Sequence, residues 1–167
     1  SPMSRGLGDV YKRQVLIKIL KIGIGVGLCL TTLAVTNAQD GLYDNGNSTV
    51  SDFRTGLMWH QNAYTALLPT WNGANTHCVN SALAEHNDWR LPTVKELNSI
   101  TDRTTVSPAI DRRMFPGTAN ARFWTATDIA TDPTRAWVVN LATAEIIAAD
   151  KGDGAGQFRA RCVRQEN

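Results

Sequence analysis

Three histidines, His60, His77 and His86, are the residues whose type alone suggests metal chemistry. Two imidazoles ligate from one helix face when they sit four residues apart, and zinc sites often open with closely spaced cysteines. None of the histidines has a partner at that spacing, and no second cysteine sits two residues from Cys78, so neither a metal nor any other cofactor is expected. Asp150-Lys151-Gly152-Asp153-Gly154 offers oxygen ligands without the EF-hand spacing or its closing glutamate. A solvated glycine loop over 150–156 is expected there. Arg112 and Arg113, with Arg122 nearby, form a local basic group, and guanidinium forks suit sulfate or carboxylate. The competing reading is an ordinary charge pair near Asp111. Among the tryptophans, Trp59, Trp89, Trp124 and Trp137 lie in strand-like alternation and are expected in the core, whereas Trp71 opens a helix and is the exposed platform on which a sugar would stack.

The elements that must position these residues are short. Thr49–Phe53 and Leu57–His60 read as strands around an Arg54-Thr55-Gly56 turn, after a polar entry segment. Thr70 caps a helix expected from Trp71 to about Leu83, whose stripe of Trp71, Ala74, Cys78 and Ala82 turns Cys78 inward. Trp89-Arg90-Leu91 is a short extended segment stopped by Pro92, and Thr93 stands three residues before Glu96, the spacing of a capping box. A second helix follows, with Val94, Leu97 and Ile100 on one face. Arg90, flanked by two large apolar residues, is expected to be drawn inward and to need a carboxylate partner. After a long connection over 102–121, strands are expected at Phe123–Thr127, Arg135–Leu141, Glu145–Ala149 and Phe158–Arg164, with Asp132-Pro133 as a turn. Helices first and a meander of short strands last argue an α+β fold.

The chain carries +2, but that sign belongs to its beginning. Of 17 basic and 15 acidic side chains, five (Arg5, Lys12, Arg13, Lys18, Lys21) and one (Asp9) fall in residues 1–38. The remaining 12 and 14 give residues 39–167 a charge of about −2, and no global case for nucleic acid survives. Residues 1–14 have no apolar period and read as a non-native leader. Residues 15–38 have a basic flank, an uncharged run over Ile22–Val35 and small residues at Thr36-Asn37-Ala38, the layout of a secretory signal cleaved after Ala38. The apolar run is short of the ~20 residues that span a bilayer, so membrane contact is expected only through an uncleaved signal. Residues 39–167 suffice for one domain. In an exported chain their two cysteines, Cys78 and Cys162, read as a disulfide; a free reactive thiol is the other reading.

Taken together, Asp52-Phe53-Arg54-Thr55-Gly56-Leu57-Met58-Trp59, Cys78, Trp89-Arg90-Leu91-Pro92-Thr93 with Glu96-Leu97, Phe123-Trp124-Thr125-Ala126-Thr127, Ala136-Trp137-Val138-Val139-Asn140 and Arg161-Cys162-Val163-Arg164 resemble the Lcl_C family, which includes the C-terminal domain of a bacterial collagen-like adhesin. The second block also resembles the Arg-Leu-Pro-Thr segment of formylglycine-generating enzymes. These resemblances imply a C-type-lectin-like α+β fold with a disulfide from helix to last strand, and a protein that is exported or attached to the surface. The Glu-Pro-Asn, Gln-Pro-Asp and Trp-Asn-Asp patterns of calcium-dependent lectins are missing. The adhesin binds sulfated glycosaminoglycans, so the expectation is a non-enzymatic binding or adhesion domain outside the cytoplasm, in the periplasm, at the cell surface or secreted. Its partner would be an acidic or sulfated glycan or another surface protein, met at Arg112, Arg113, Arg122 and Trp71. An enzyme of undetermined reaction and a structural envelope protein are the rivals.

Overall fold

A computed structural model of the protein describes residues 41–68, 70–153 and 158–166. The expected leader and export signal lie outside the described residues, as does 154–156 of the glycine loop. The architecture is α+β with two four-stranded sheets. In the first, β1 (Leu42–Asp44), β2 (Thr49–Asp52), β3 (Leu57–His60) and β8 (Val163–Gln165) pair antiparallel in the order β1-β2-β3-β8. The second has the order β6-β5-β4-β7, from β4 (Arg122–Ile129), β5 (Asp132–Asn140), β6 (Glu145–Asp150) and β7 (Phe158–Arg159). Here β4, β5 and β6 form the expected antiparallel meander, and β7 adds on parallel to β4. Helices α1 (Trp71–Val79) and α2 (Val94–Ser99) precede that second sheet in the chain.

Alternation along the strands distributes side chains between two cores. Leu57, Trp59, Phe123, Val139 and Val163 join Leu97, Ile100, Ile110 and Phe115 in one. Met58, Trp124, Val138 and Phe158 join Ala74, Cys78, Trp89, Leu91 and Cys162 in the other. The long connection earns its place by packing, since Ala109, Ile110 and Phe115 in it are fully buried. The turn between β2 and β3 depends on Gly56, whose φ is +68° and whose added Cβ would stand 3.1 Å from Gln165 Nε2.

The Trp89–Glu96 segment joins the two sheets. Arg90 exchanges backbone hydrogen bonds with Val163 of β8 at 3.0 and 2.9 Å, while the Pro92 carbonyl accepts from Ala126 N of β4 at 2.7 Å. Val94 N donates to Thr127 Oγ1, also on β4, at 3.0 Å. The capping box is present: Thr93 Oγ1 accepts from Glu96 N at 3.2 Å and Glu96 Oε2 accepts from Thr93 N at 2.7 Å. The Arg90 guanidinium binds the same carboxylate with two N–H groups, at 2.9 and 2.8 Å. Arg90 thus has the expected carboxylate, but its side chain is 42% exposed and not drawn inside. Burial pushes the Glu96 carboxyl up, and the Arg90 and Thr93 hydrogen bonds outweigh it, leaving the group below its ordinary value. Glu96→Ala is therefore expected to cost about 2 kcal/mol and Arg90→Ala about 1 kcal/mol in urea unfolding, because only the first also removes the carboxylate half of the capping box.

Several sequence expectations are corrected. Helix α1 ends at Val79, where Asn80 caps it, instead of continuing to Leu83. The polar entry segment contains β1. Asp132 and Pro133 belong to β5, and the turn is at Ala130–Thr131. Pro133 is tolerated because the β4–β5 register is interrupted between the Ile129–Asp132 and Asp128–Ala136 pairs, where no ladder donor is required of it. Phe158–Arg164 is two strands in different sheets, joined by a crossover at Ala160–Cys162. The disulfide reading is the one observed: Cys78 of α1 is bonded to Cys162 in that crossover.

Candidate functional site

The crossover positions an open cleft of about 470 Å³. Its wall is the chain leaving β3, residues 60–68, which runs beside Phe158–Cys162. His60 N donates to Cys162 O at 3.0 Å, Tyr64 N to Ala160 O at 3.2 Å, and Leu68 N to Phe158 O at 2.9 Å. Two arginines on alternate positions complete the attachment. Arg159 donates to the carbonyls of Tyr64 and Thr65. Arg161 donates to those of His60 and Gln61 at 2.5 and 2.6 Å and to Thr118 Oγ1 at 2.7 Å.

Arg161 is 1% exposed and lies over the Phe115 ring at 4.6 Å. Among the described residues no carboxylate pairs with it. Burial pushes its pKa down to about 9, which leaves it charged at neutral pH. Three neutral acceptors and an aromatic face hold a cation here that an acid would ordinarily compensate.

The opposite side of the cleft comes from α1 and the turn after it. Thr70 caps α1 by accepting from Gly73 N at 3.2 Å, and with Ala74 and Cys78 packed inward His77 falls on the cleft side. The His77 ring meets that of Tyr64 at 3.9 Å between centroids. His60 Nε2 lies 3.2 Å from Ser81 Oγ, and the His60 ring stands edge-on to Trp89 at 4.2 Å. Ser81 Oγ already accepts from Leu83 N at 3.4 Å, which favours donation of its own proton to His60 Nε2. Trp89 Nε1 in turn donates to Leu83 O at 3.1 Å, so the fold-defining segment also supports the cleft floor.

Burial, then His77 and then Arg161 lower the His60 pKa from 6.5 to about 4; burial also lowers that of His77. Both imidazoles are therefore neutral at neutral pH. The unfolded chain takes up a proton at His60 near pH 6.5 whereas the folded chain resists until about 4. Stability is fully present above pH 6.5, falls as pH drops toward 4, and levels off below it, a loss of about 3 kcal/mol from this group. Urea midpoints measured across that window in the parent and in His60→Asn are expected to differ in slope by about one proton.

The arginines and tryptophan expected to bind ligand occupy other settings. Arg113 grips Asp111 with Nε at 3.0 Å and a terminal nitrogen at 2.8 Å, so the local charge-pair reading describes it. Arg112 is exposed, and Arg122 is exposed at the first position of β4, not inside the connection. Trp71 is not an open platform. Its Nε1 donates to Thr125 O at 2.8 Å, and Lys151, paired with Asp128 at 2.7 Å, lies 4.7 Å over its ring. Trp59, Trp89 and Trp124 are buried as expected, whereas Trp137 is half-buried. Among the described residues no group of three or more His, Cys, Asp and Glu side chains is placed to hold a metal ion. No described helix is long and apolar enough to cross a membrane.

From the sequence, His60 and His77 stand out only as metal ligands, Asn62 belongs to no expected element, Tyr64 falls in a loop, and Ser81 falls inside the helix expected to run to about Leu83. The available signal was His77 beside Cys78 on one short helix: a disulfide that fixes Cys78 also fixes its neighbour. A family model described as the Lcl C-terminal domain matches residues 48–164. No curated protein matches the chain.

Proposed function

Because the chain belongs to the Lcl C-terminal domain family, we propose that it is a non-enzymatic glycan-binding domain acting outside the cytoplasm, with the cleft between residues 60–65 and α1 as its principal site. The observation that carries this reading is the convergence of an aromatic ring and several neutral polar side chains on one open cleft whose wall is hydrogen-bonded from behind. The Cys78–Cys162 disulfide fits an oxidising compartment. It also supports reading the fold as C-type-lectin-like, since it joins the first helix to the final strands.

The Ser81–His60 contact has the outline of an activated nucleophile. Its electrostatics speak for binding instead. A general base works best with a pKa near the operating pH, and here burial, His77 and Arg161 all oppose the imidazolium that catalysis would have to form. An acidic or sulfated stretch of the same glycan would be met outside the cleft by Arg112 and Arg122, since Arg113 is held by Asp111. A glycan array probed with the purified protein at low and high salt tests the reading. Binding to a defined glycan set is expected, and an array without any binding overturns it.

A further inference from the structure

The residues around the cleft are without formal charge. Ser48, Asn62, Thr65 and Ser81 contribute amide and hydroxyl groups, Tyr64 an aromatic ring, and no Asp, Glu, Lys or Arg side chain is among the lining residues. The nearby cations are Arg159 and Arg161, whose terminal nitrogens donate to the carbonyls of residues 60, 61, 64 and 65, from the side of the crossover strand. Among the described lining residues an anionic group entering the cleft would lose its hydration without meeting a cationic side chain, and a cation would meet no carboxylate.

A different chemistry is well served. Ser, Thr and Asn side chains each both donate and accept, and a neutral imidazole presents one donor and one acceptor. Sugar hydroxyls have the same dual character, so either direction of each hydrogen bond is available. Tyr64 is 40% exposed with His77 against its ring, leaving aromatic surface for the C–H face of a saccharide. The cleft volume of about 470 Å³ lies within the range of small-ligand sites. A second cleft, of about 340 Å³, has the opposite character, being lined by Arg54, Asp102 and Asp111.

We propose that the cleft of Asn62, Tyr64, His77 and Ser81 binds an uncharged, hydroxyl-rich ring, the pyranose unit of a neutral glycan, by stacking on Tyr64 and by hydrogen bonds to the neutral polar groups. The proposal rests on the reading of the domain as glycan-binding and specifies the ligand class of its cleft. Recognition of this kind is insensitive to ionic strength, unlike recognition by surface arginines.

The test is titration calorimetry of the purified protein with a panel of neutral oligosaccharides and their sulfated counterparts, at about 0.05 M and about 0.5 M salt. At least one neutral oligosaccharide is expected to bind with a Kd that changes less than about twofold between the two salts. Tyr64→Ala is expected to weaken it about tenfold or more, and Tyr64→Phe to retain it, because the ring is what stacks. Thermal unfolding of both variants accompanies the titrations. Should Tyr64→Ala lower Tm, Asn62→Ala, at an exposed position, carries the same comparison. Binding confined to sulfated ligands, abolished by high salt and by Arg112→Ala with Arg122→Ala, overturns the neutral-ring assignment while leaving the glycan-binding reading in place. Absence of binding to every member of the panel overturns both.

Discussion

Replacing both cysteines, Cys78→Ala with Cys162→Ala, is expected to cost about 4.5 kcal/mol of stability in the chain-entropy description of cross-links. The bridge closes a sequence separation of 84 residues, so its loss releases most of the domain in the unfolded state. The folded-state consequence is local and informative. Cys78 and Cys162 are both fully buried, and they hold α1 against the crossover from which the 60–68 wall hangs. With a typical domain stability of about 5–15 kcal/mol, such a loss takes a large share of the total. Urea unfolding of the double variant, alongside the parent with and without reductant, measures it. A midpoint unchanged by both the substitution and reduction would contradict the structural role assigned to the bridge.

Arg161→Met is expected to be the most damaging single substitution of a charged residue, at about 3 kcal/mol. Methionine fills much of the volume but cannot donate to His60 O, Gln61 O or Thr118 Oγ1, which become acceptors without this partner. Relief from burying a cation offsets part of that cost. Lysine is not a conservative replacement, because one ammonium on a flexible stem does not reproduce a planar fork that spans three acceptors. Arg161→Lys should therefore lose more than half as much as Arg161→Met. Arg161 also contributes, after burial and His77, to holding the His60 pKa down. In either variant that still folds, NMR titration should find the His60 pKa above about 4, with the larger rise in Arg161→Met, where the charge is gone.

How much of this was legible in the sequence follows the range of the interactions involved. The capping box at Thr93 and Glu96 is complete within four residues, and the pattern read there is the one observed. The disulfide needs only a count of cysteines and an oxidising compartment. The split of Phe158–Arg164 could not be read the same way, because Phe158, Ala160 and Cys162 alternate as one strand would. What breaks the strand is a change of partner from β4 to β3, information held some 35 and 100 residues away. The same change buries Arg161, which alternation would turn to solvent, since the carbonyls at the end of β3 need its donors. Trp71 fails as a platform for a like reason. Its cover, Lys151, comes from the loop after β6, and nothing within α1 announces it. The site residues were individually visible but separated in sequence, and only the crossover brings His60, Tyr64, His77 and Ser81 around one cleft.

The central question is where a ligand sits on the domain. An amide-shift map of the protein titrated with the strongest neutral oligosaccharide from the calorimetric panel addresses this directly. The predicted result is a cluster of perturbed resonances at Asn62, Tyr64, Thr65, His77 and Ser81, retained at high salt. Perturbations centred on Arg112 and Arg122, or a ligand that binds without shifting the cleft residues, would contradict it.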